Sequence, residues 1–426
     1  MAFLHEHIIL PLSDIVRGEE VHKYLRQLRE AESWSDEQIH DFQKERMRQL
    51  LTYAACEVPF YQDWFHDHGI DPSTATLGQL PIVSKAIMRQ EGIERFAATP
   101  FPVKERIASR SSGSTGEPFS FYTTTLSDAV NTAAKLRTWY QAGYRLGDRY
   151  MKIANGARHG RLKTVQDKVN NCIYVPFYSL DDKALHSILE AIEQEKPLFV
   201  RAYPIPLYLL AQYRNSHPTD FRYCPKRLFT TGSTLPAVYR EEIERAFGCD
   251  IIDSYSCEGT PNTYETPAHD GYRVCGYYGI IEVLDNDGRP VSDGIGRVVS
   301  TDLWNLAHPF IRYDTQDLVE VRGGKIQRIM GRESDALIPA NGTVYTVHNF
   351  SRFFTHDVVG VGAYQIVRHR DRSITINLVA ERQYNSDVER TTIDFWQQRL
   401  GVPVNIAVVD EIPLMHNNKR LTIVNE

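Results

Sequence analysis

The chain has no basic leader, no long apolar run, no paired cysteine framework and no strongly basic stretch. Its first apolar segment, 8–11, is short and follows His5, Glu6 and His7, which excludes the form of a secretory signal peptide. No apolar run approaches the ~18 residues of a membrane span. The 6 cysteines are scattered, as suits a reducing cytoplasm rather than a disulfide scaffold. For that reason the glycosylation sequons at Asn341-Gly342-Thr343 and Asn349-Phe350-Ser351 are not expected to be used. A net charge of −6 argues against nucleic acid as partner while leaving room for a local basic pocket. There is no internal repeat and no low-complexity linker. What is present is an ordinary globular composition, 42% hydrophobic and 24% charged, in 426 residues. That is too long for one ordinary core and predicts two domains or more.

Residues 1–100 read as mostly helical. Ser35 to Gln38 has the form of a capping box, after which Ile39, Phe42, Arg46, Leu50 and Ala54 share one helical face. Val58-Pro59 is predicted to end that helix. The aromatics Phe60, Tyr61, Trp64 and Phe65 read as core, with pocket walls as the alternative. From about residue 107 short strands alternate with helices, the pattern of an α/β fold. Strands are predicted at 119–122, 197–203, 227–231 and 250–255, and helices at 126–142 and 206–213. Thr234 is the predicted cap of a further helix that Gly248 ends. Residues 227–255 thus form a βαβ unit with Tyr255 and Glu258 at the carboxyl end of its last strand, where ligands of open α/β sheets sit. Hairpins are predicted over 280–300. The tail, 331–426, reads as a small α+β domain, with Ile374, Ile376 and Leu378 alternating as in a strand, a helix at 388–400 and a strand at 402–409.

The stretch Ser111-Ser112-Gly113-Ser114-Thr115-Gly116-Glu117-Pro118 joins glycines, which let a backbone turn its N–H groups inward, to hydroxyl donors. Such a loop can wrap phosphate oxygens. It is not a Walker A loop, because Glu117 stands where that motif needs lysine.

In chain order this loop is followed by Tyr255-Ser256-Cys257-Glu258, Thr301-Asp302, Arg312-Tyr313-Asp314-Thr315-Gln316-Asp317, Gly331-Arg332-Glu333-Ser334-Asp335 and a late Lys419. The series resembles the adenylate-forming superfamily, and in particular its phenylacetate–CoA ligase branch with the CapK-type relatives. Val58-Pro59-Phe60-Tyr61 and Leu80-Pro81-Ile82-Val83-Ser84-Lys85 resemble the same branch. The resemblance implies a large N-terminal adenylation domain, 1–330, and a small mobile C-terminal lid, 331–426. It implies ATP, Mg²⁺ and a small-molecule carboxylic acid as reactants, giving an acyl-adenylate and pyrophosphate. The acyl group then passes to coenzyme A. An amine or hydroxyl acceptor is the alternative, and a nucleotide-binding protein without turnover is a third reading. A homodimer is common in the family.

Residue by residue, the resemblance implies that Ser111, Ser112, Gly113, Ser114, Thr115 and Gly116 hold the β- and γ-phosphates. Gly232 and Ser233 lie beside the adenine, and Tyr255 stacks on it. Asp317 accepts both ribose hydroxyls, for which a bidentate carboxylate is suited. Asp302 belongs to the nucleotide set. Arg312 steadies Asp317, reaches phosphate, or forms a structural ion pair. Glu258 is the Mg²⁺ ligand, a hard oxygen donor beside phosphate. Arg332 and Asp335 mark the hinge, and Lys419 neutralises charge at the forming bond.

The chain departs from the family pattern in places. Its glutamate comes three residues after the tyrosine rather than four, with Gly259 at the fourth position. The Thr-Gly-Asp turn is Thr315-Gln316-Asp317, and the adenine-strand Gly-Glu is Gly232-Ser233. Cys249, Cys257, His269 and Cys275 match no standard zinc spacing. Tyr140, Tyr203 and Tyr264 are candidate walls of the acid pocket.

Overall fold

The computed structural model describes residues 2–101, 106–110, 120–155, 161–177, 181–257, 259–332, 336–337, 339, 345–346, 349–350, 353–412 and 422–426. The architecture is mixed α/β. The chain divides into two compact units, one of residues 1–148, 169–171 and 252–328, the other of 149–168, 172–251 and 329–426. No helix among the described residues is long and apolar enough to cross a membrane, and no disulfide joins any of the six cysteines.

The first unit opens with helices. Ser35 caps the helix Asp36–Glu57 by accepting from the Gln38 N–H, while the Gln38 side chain accepts from the Ser35 N–H, the predicted capping box. Leu50 and Ala54 are buried on its inner face. Arg46, the polar residue on that stripe, lays its guanidinium over the Trp304 ring at 4.1 Å and donates to the Leu303 carbonyl. Its stem covers apolar surface while its charge finds a π face and a carbonyl. Pro59 does end this helix, and it also starts the next, Pro59–His68, because proline fits a first helical turn. There Tyr61 and Phe65 are buried core and Phe60 stacks on Phe96 at 4.3 Å, while Trp64 is half-buried.

The main sheet of this unit is an antiparallel meander of Gly279–Leu284, Gly294–Asp302 and Tyr313–Arg322, with Val83–Ser84 added in parallel beside Tyr313 and Asp314. Its first turn, predicted from the Asn-Asp-Gly run, is built on the Asp285 carboxylate, which accepts from the Asp287 and Arg289 N–H groups.

His308 lies fully buried near Phe96, Phe121 and Phe310. Burial, with Arg106 adding to it, pushes its pKa from the ordinary 6.5 down to about 3. The folded chain therefore holds a neutral imidazole where the unfolded chain takes up a proton below pH 6.5. Stability falls as pH drops from about 6.5 toward 3, by about 2–3 kcal/mol at pH 4.5. His308→Gln should lose correspondingly less stability than the wild type between pH 7 and pH 4.5 in urea unfolding. Equal losses would show that acid sensitivity arises elsewhere.

In the second unit the strands Cys172–Phe177, Tyr150–Asn155, Phe199–Ala202 and Arg227–Thr231 neighbour one another in that order, all parallel. The helices Asp182–Glu195, Pro204–Ser216 and Ala237–Phe247 bury Leu189, Leu207, Leu210, Ile243 and Phe247 against Met151, Val200 and Leu228. Thr234 is not the cap of the last helix. The helix begins later, at Ala237, with Pro236 in the capping position and no side-chain cap bond. Proline there is already extended and pre-set for the turn. Gly248 ends the helix at φ +62, as predicted.

The tail of this unit forms a second sheet in the order Val404–Val408, Ile374–Ala380, Val361–Arg368, Ile423–Asn425. Ile374, Ile376 and Leu378 are all buried, the first two in the core where Trp396 of the helix Ser386–Leu400 stacks on Phe350 at 3.9 Å.

Candidate functional site

The best-defined cluster of predicted residues is made by an irregularity in the main sheet. Val299 pairs with Asp314 and Arg297 with Leu318, so Val298 alone stands opposite Thr315, Gln316 and Asp317. Bulges of this kind interrupt a ladder and re-aim side chains beside active sites. Thr315 pins the bulge, its hydroxyl donating to the Val298 carbonyl at 2.9 Å and accepting from the Asp317 N–H at 3.1 Å.

Gln316 sits at φ +61, the left-handed region in which glycine is at ease, and its N–H donates to Asp314 Oδ1. Glutamine thus occupies a torsion suited to glycine, at the position where the resembled Thr-Gly-Asp pattern has glycine. A non-glycine residue there costs ~1–2 kcal/mol. Gln316→Gly should accordingly stabilise the fold by about 1 kcal/mol and Gln316→Val should destabilise it. Equilibrium unfolding of both variants checks the sign, and matching signs would show that the torsion is not the determinant.

Tyr255, at the end of the strand Ile251–Tyr255, donates its hydroxyl to Asp317 Oδ2 at 2.8 Å. Asp317 is buried and Tyr255 is half-buried. Burial first, and the Asp317 carboxylate second, hold the Tyr255 hydroxyl pKa well above its ordinary 10, so it remains a neutral donor. Beyond Tyr255, Cys257 Sγ lies 2.7 Å from Thr260 Oγ1, and Thr260 Oγ1 lies 3.2 Å from Ser300 Oγ.

Gly259 sits at φ +67, and a Cβ there would lie 2.4 Å from Phe310. The fourth position after Tyr255 therefore has no room for a side chain, which gives the shifted glutamate spacing a steric reason. Gly259→Ala combines the left-handed torsion with this overlap and should destabilise by roughly 2–4 kcal/mol. Thermal unfolding tests it, and a neutral outcome would mean that the segment relaxes away from Phe310.

Arg312 is committed elsewhere. Its guanidinium forks onto Glu282, Nε and Nη2 both at 3.0 Å, while Nη1 donates to the Leu80 carbonyl. No hydrogen bond joins it to Asp317 among the described residues. Of its three predicted roles the geometry matches the structural ion pair. Asp302 is likewise filled. It accepts from the Tyr278 hydroxyl and from the Trp304 and Asn305 N–H groups, and burial raises its pKa. It anchors the turn that follows its strand.

In the other unit, Gly232 follows the strand Arg227–Thr231 at φ +79, and a Cβ there would lie 2.5 Å from the Tyr203 ring. This glycine lets the backbone lie flat on Tyr203. Ser233 is exposed, and Arg332 ends the strand Lys325–Arg332 half-buried. Tyr140 and Tyr264 are buried. Ser111, Ser112, Gly113, Ser114, Thr115, Gly116, Glu258, Asp335 and Lys419 lie outside the described residues. The flanks of the glycine loop, Ile107–Arg110 and Ser120–Thr123, pair antiparallel with Arg110 opposite Ser120.

Sequence reasoning missed Thr315 as the pin of the bulge and Glu282 as the partner of Arg312. The Thr-x-Asp spacing could have signalled the first. Glu282 is brought to Arg312 only by strand register and leaves no local signal.

No protein-family model matches the chain. It is 22% identical over 414 residues to protein CapK of Staphylococcus aureus, covering 91% of this chain and 89% of that one. It is 26% identical over 337 residues to a phenylacetate-coenzyme A ligase of Aromatoleum evansii, covering 72% and 73%. Its fold matches a crystal structure of 2-hydroxyisobutyryl-CoA ligase in complex with 2-HIB-AMP, with a TM-score of 0.70, 19% identity, and coverage of 92% of this chain and 89% of that one. The ordered motifs resemble those of the adenylate-forming superfamily, and the fold is shared with this adenylate-holding ligase. The relatives it resembles in sequence are CapK and the phenylacetate-coenzyme A ligases.

Proposed function

We propose that the protein is an AMP-forming acid ligase. A carboxylic acid attacks the α-phosphate of Mg-ATP, giving an acyl-adenylate and pyrophosphate, and the acyl group then passes to the thiol of coenzyme A. The observation that carries this is the Tyr255–Asp317 pair on a bulged strand, within a fold shared over 92% of the chain with a ligase holding an acyl-AMP. In this reading Asp317 takes the ribose hydroxyls through its carboxylate, and Tyr255 fixes that carboxylate from one side. Gly232 and Ser233 border the base, and Ser111 to Gly116 hold phosphate. Mg²⁺ enters with ATP. Among the described residues no group of three or more His, Cys, Asp or Glu is placed to hold a metal ion. Magnesium is usually held by one or two carboxylates and substrate phosphates, here Glu258 and the nucleotide. Residues 331–426 act as a lid that brings Lys419 to the forming bond, and the cytoplasm supplies ATP and coenzyme A. Coenzyme A is favoured as acceptor over an amine or hydroxyl because the phenylacetate-coenzyme A ligases and the 2-hydroxyisobutyryl-CoA ligase are named for it.

The test is pyrophosphate release from Mg-ATP across aryl, aliphatic and amino acids, with and without coenzyme A. Release that depends on one acid and is stimulated by coenzyme A supports the ligase. No release with any acid in the panel, despite measurable ATP binding, counts against it.

A further inference from the structure

The tail carries a cleft of about 910 Å³ that the proposed chemistry has not used. Its floor is apolar, with Leu337, Ile374, Leu400 and Val402, and its rim carries Arg368, Arg370, Arg372 and Arg399. None of these four arginines forms an ion pair with a carboxylate among the described residues. Arg399 lies over the Phe395 ring at 3.4 Å and spends one N–H on the Phe395 carbonyl, leaving most of its five donors.

The acids nearby are otherwise engaged. Glu426 accepts from His369 Nδ1 at 3.0 Å, and His369 Nε2 bonds Thr375 Oγ1 at 2.8 Å. Asp371 accepts from the N–H and hydroxyl of Ser373, closing the turn it sits in. That turn is tight: the His369 N–H bonds the Ser373 carbonyl, the Arg372 N–H bonds the His369 carbonyl, and Arg372 is held at φ +70. A strained, internally bonded turn that presents arginines, with its own acid turned to the backbone, is preorganised for an anion from outside.

An apolar floor beneath several guanidiniums suits a base or ribose below and phosphates above. The volume lies within the range of small-molecule sites. We infer that this cleft seats a nucleoside diphosphate group, carried by the acyl acceptor. The acceptor assignment rests on the proposed ligase reading; the binding does not. Coenzyme A carries such a group, and so does a nucleotide-linked sugar offering a hydroxyl or amine.

The experiment is calorimetric titration of the full chain with coenzyme A, dephospho-coenzyme A, UDP-glucose and inorganic phosphate. It is repeated on Arg370→Glu/Arg372→Glu, both on the exposed turn, and on Arg399→Gln, on a separate element. The expected result is saturable binding of coenzyme A or UDP-glucose, weakened about tenfold or more in each variant. Acid-dependent pyrophosphate release stays within about twofold of wild type. Which probe binds identifies the source of the group, and a drop with dephospho-coenzyme A marks the extra phosphate as a contact. Equal affinity in wild type and variants overturns the inference, as does binding of inorganic phosphate as tight as that of the nucleotides. Weakened binding in the variants with no pyrophosphate release from any acid would keep the site and remove the ligase reading.

Discussion

Asp317→Ala should cost acid-dependent pyrophosphate release on the order of 10²–10³-fold in kcat/KM for ATP. Each hydroxyl-to-carboxylate bond to the ribose is worth about 1.5–3 kcal/mol when the acceptor is charged and buried. The motivation is the Asp317 carboxylate, buried, oriented by Tyr255 at 2.8 Å and raised on a pinned bulge. Loss of rate alone would not separate ribose binding from damage to the bulge, so the decisive readout is discrimination. Wild type should prefer ATP over 2′-deoxy-ATP by about tenfold or more, and Asp317→Ala should prefer neither. Tyr255→Phe keeps the ring and removes the hydroxyl, so its loss should be smaller and its preference for ATP should persist. Unchanged discrimination in Asp317→Ala would remove Asp317 from the ribose.

Lys419→Ala should lose the adenylation step by about 10²–10³-fold, the usual size of removing one charge-stabilising donor from a transition state. It should still convert supplied acyl-adenylate and coenzyme A to thioester within a few-fold of wild type. The motivation is the order of motifs that ends in Asn417-Asn418-Lys419-Arg420. If the lid carries its lysine to one half-reaction only, the two rates must separate. Equal loss of both would mean that Lys419 supports the tail's fold rather than one step.

Much of the local structure is legible in the sequence. Side-chain caps, prolines and strand alternation act over a few residues, and Ser35, Gly248 and the Ile374–Ile376–Leu378 alternation behave as their spacing dictates. Motif order puts Tyr255 and Asp317 in one candidate site, and the structure places the Tyr255 hydroxyl 2.8 Å from Asp317 Oδ2. Where long-range partners compete, sequence says less. Arg312 offers the same charge to Asp317, a phosphate or Glu282, and only the register of the sheet selects Glu282. Asp302 looks like a free carboxylate beside a motif until Tyr278 and two backbone N–H groups fill it. Thr234 is a plausible cap in isolation, but the proline after it delays the helix. The parallel strand Cys172–Phe177 is an apolar run that contains Pro176, which argues locally against a strand, and Tyr150–Asn155 is a short segment, so tertiary packing rather than pattern defines both.

Gln316 at φ +61 has a meaning beyond its own stability. What the turn before Asp317 requires is a torsion angle, and glycine is only its cheapest occupant. A chain can abandon the letter and keep the shape, provided a neighbour such as Asp314 holds the peptide in place. Descent written in amino-acid letters then fades at the very position where the geometry is most constrained. Distant members of such a lineage are better recognised by a sequence of backbone angles than by a sequence of residues.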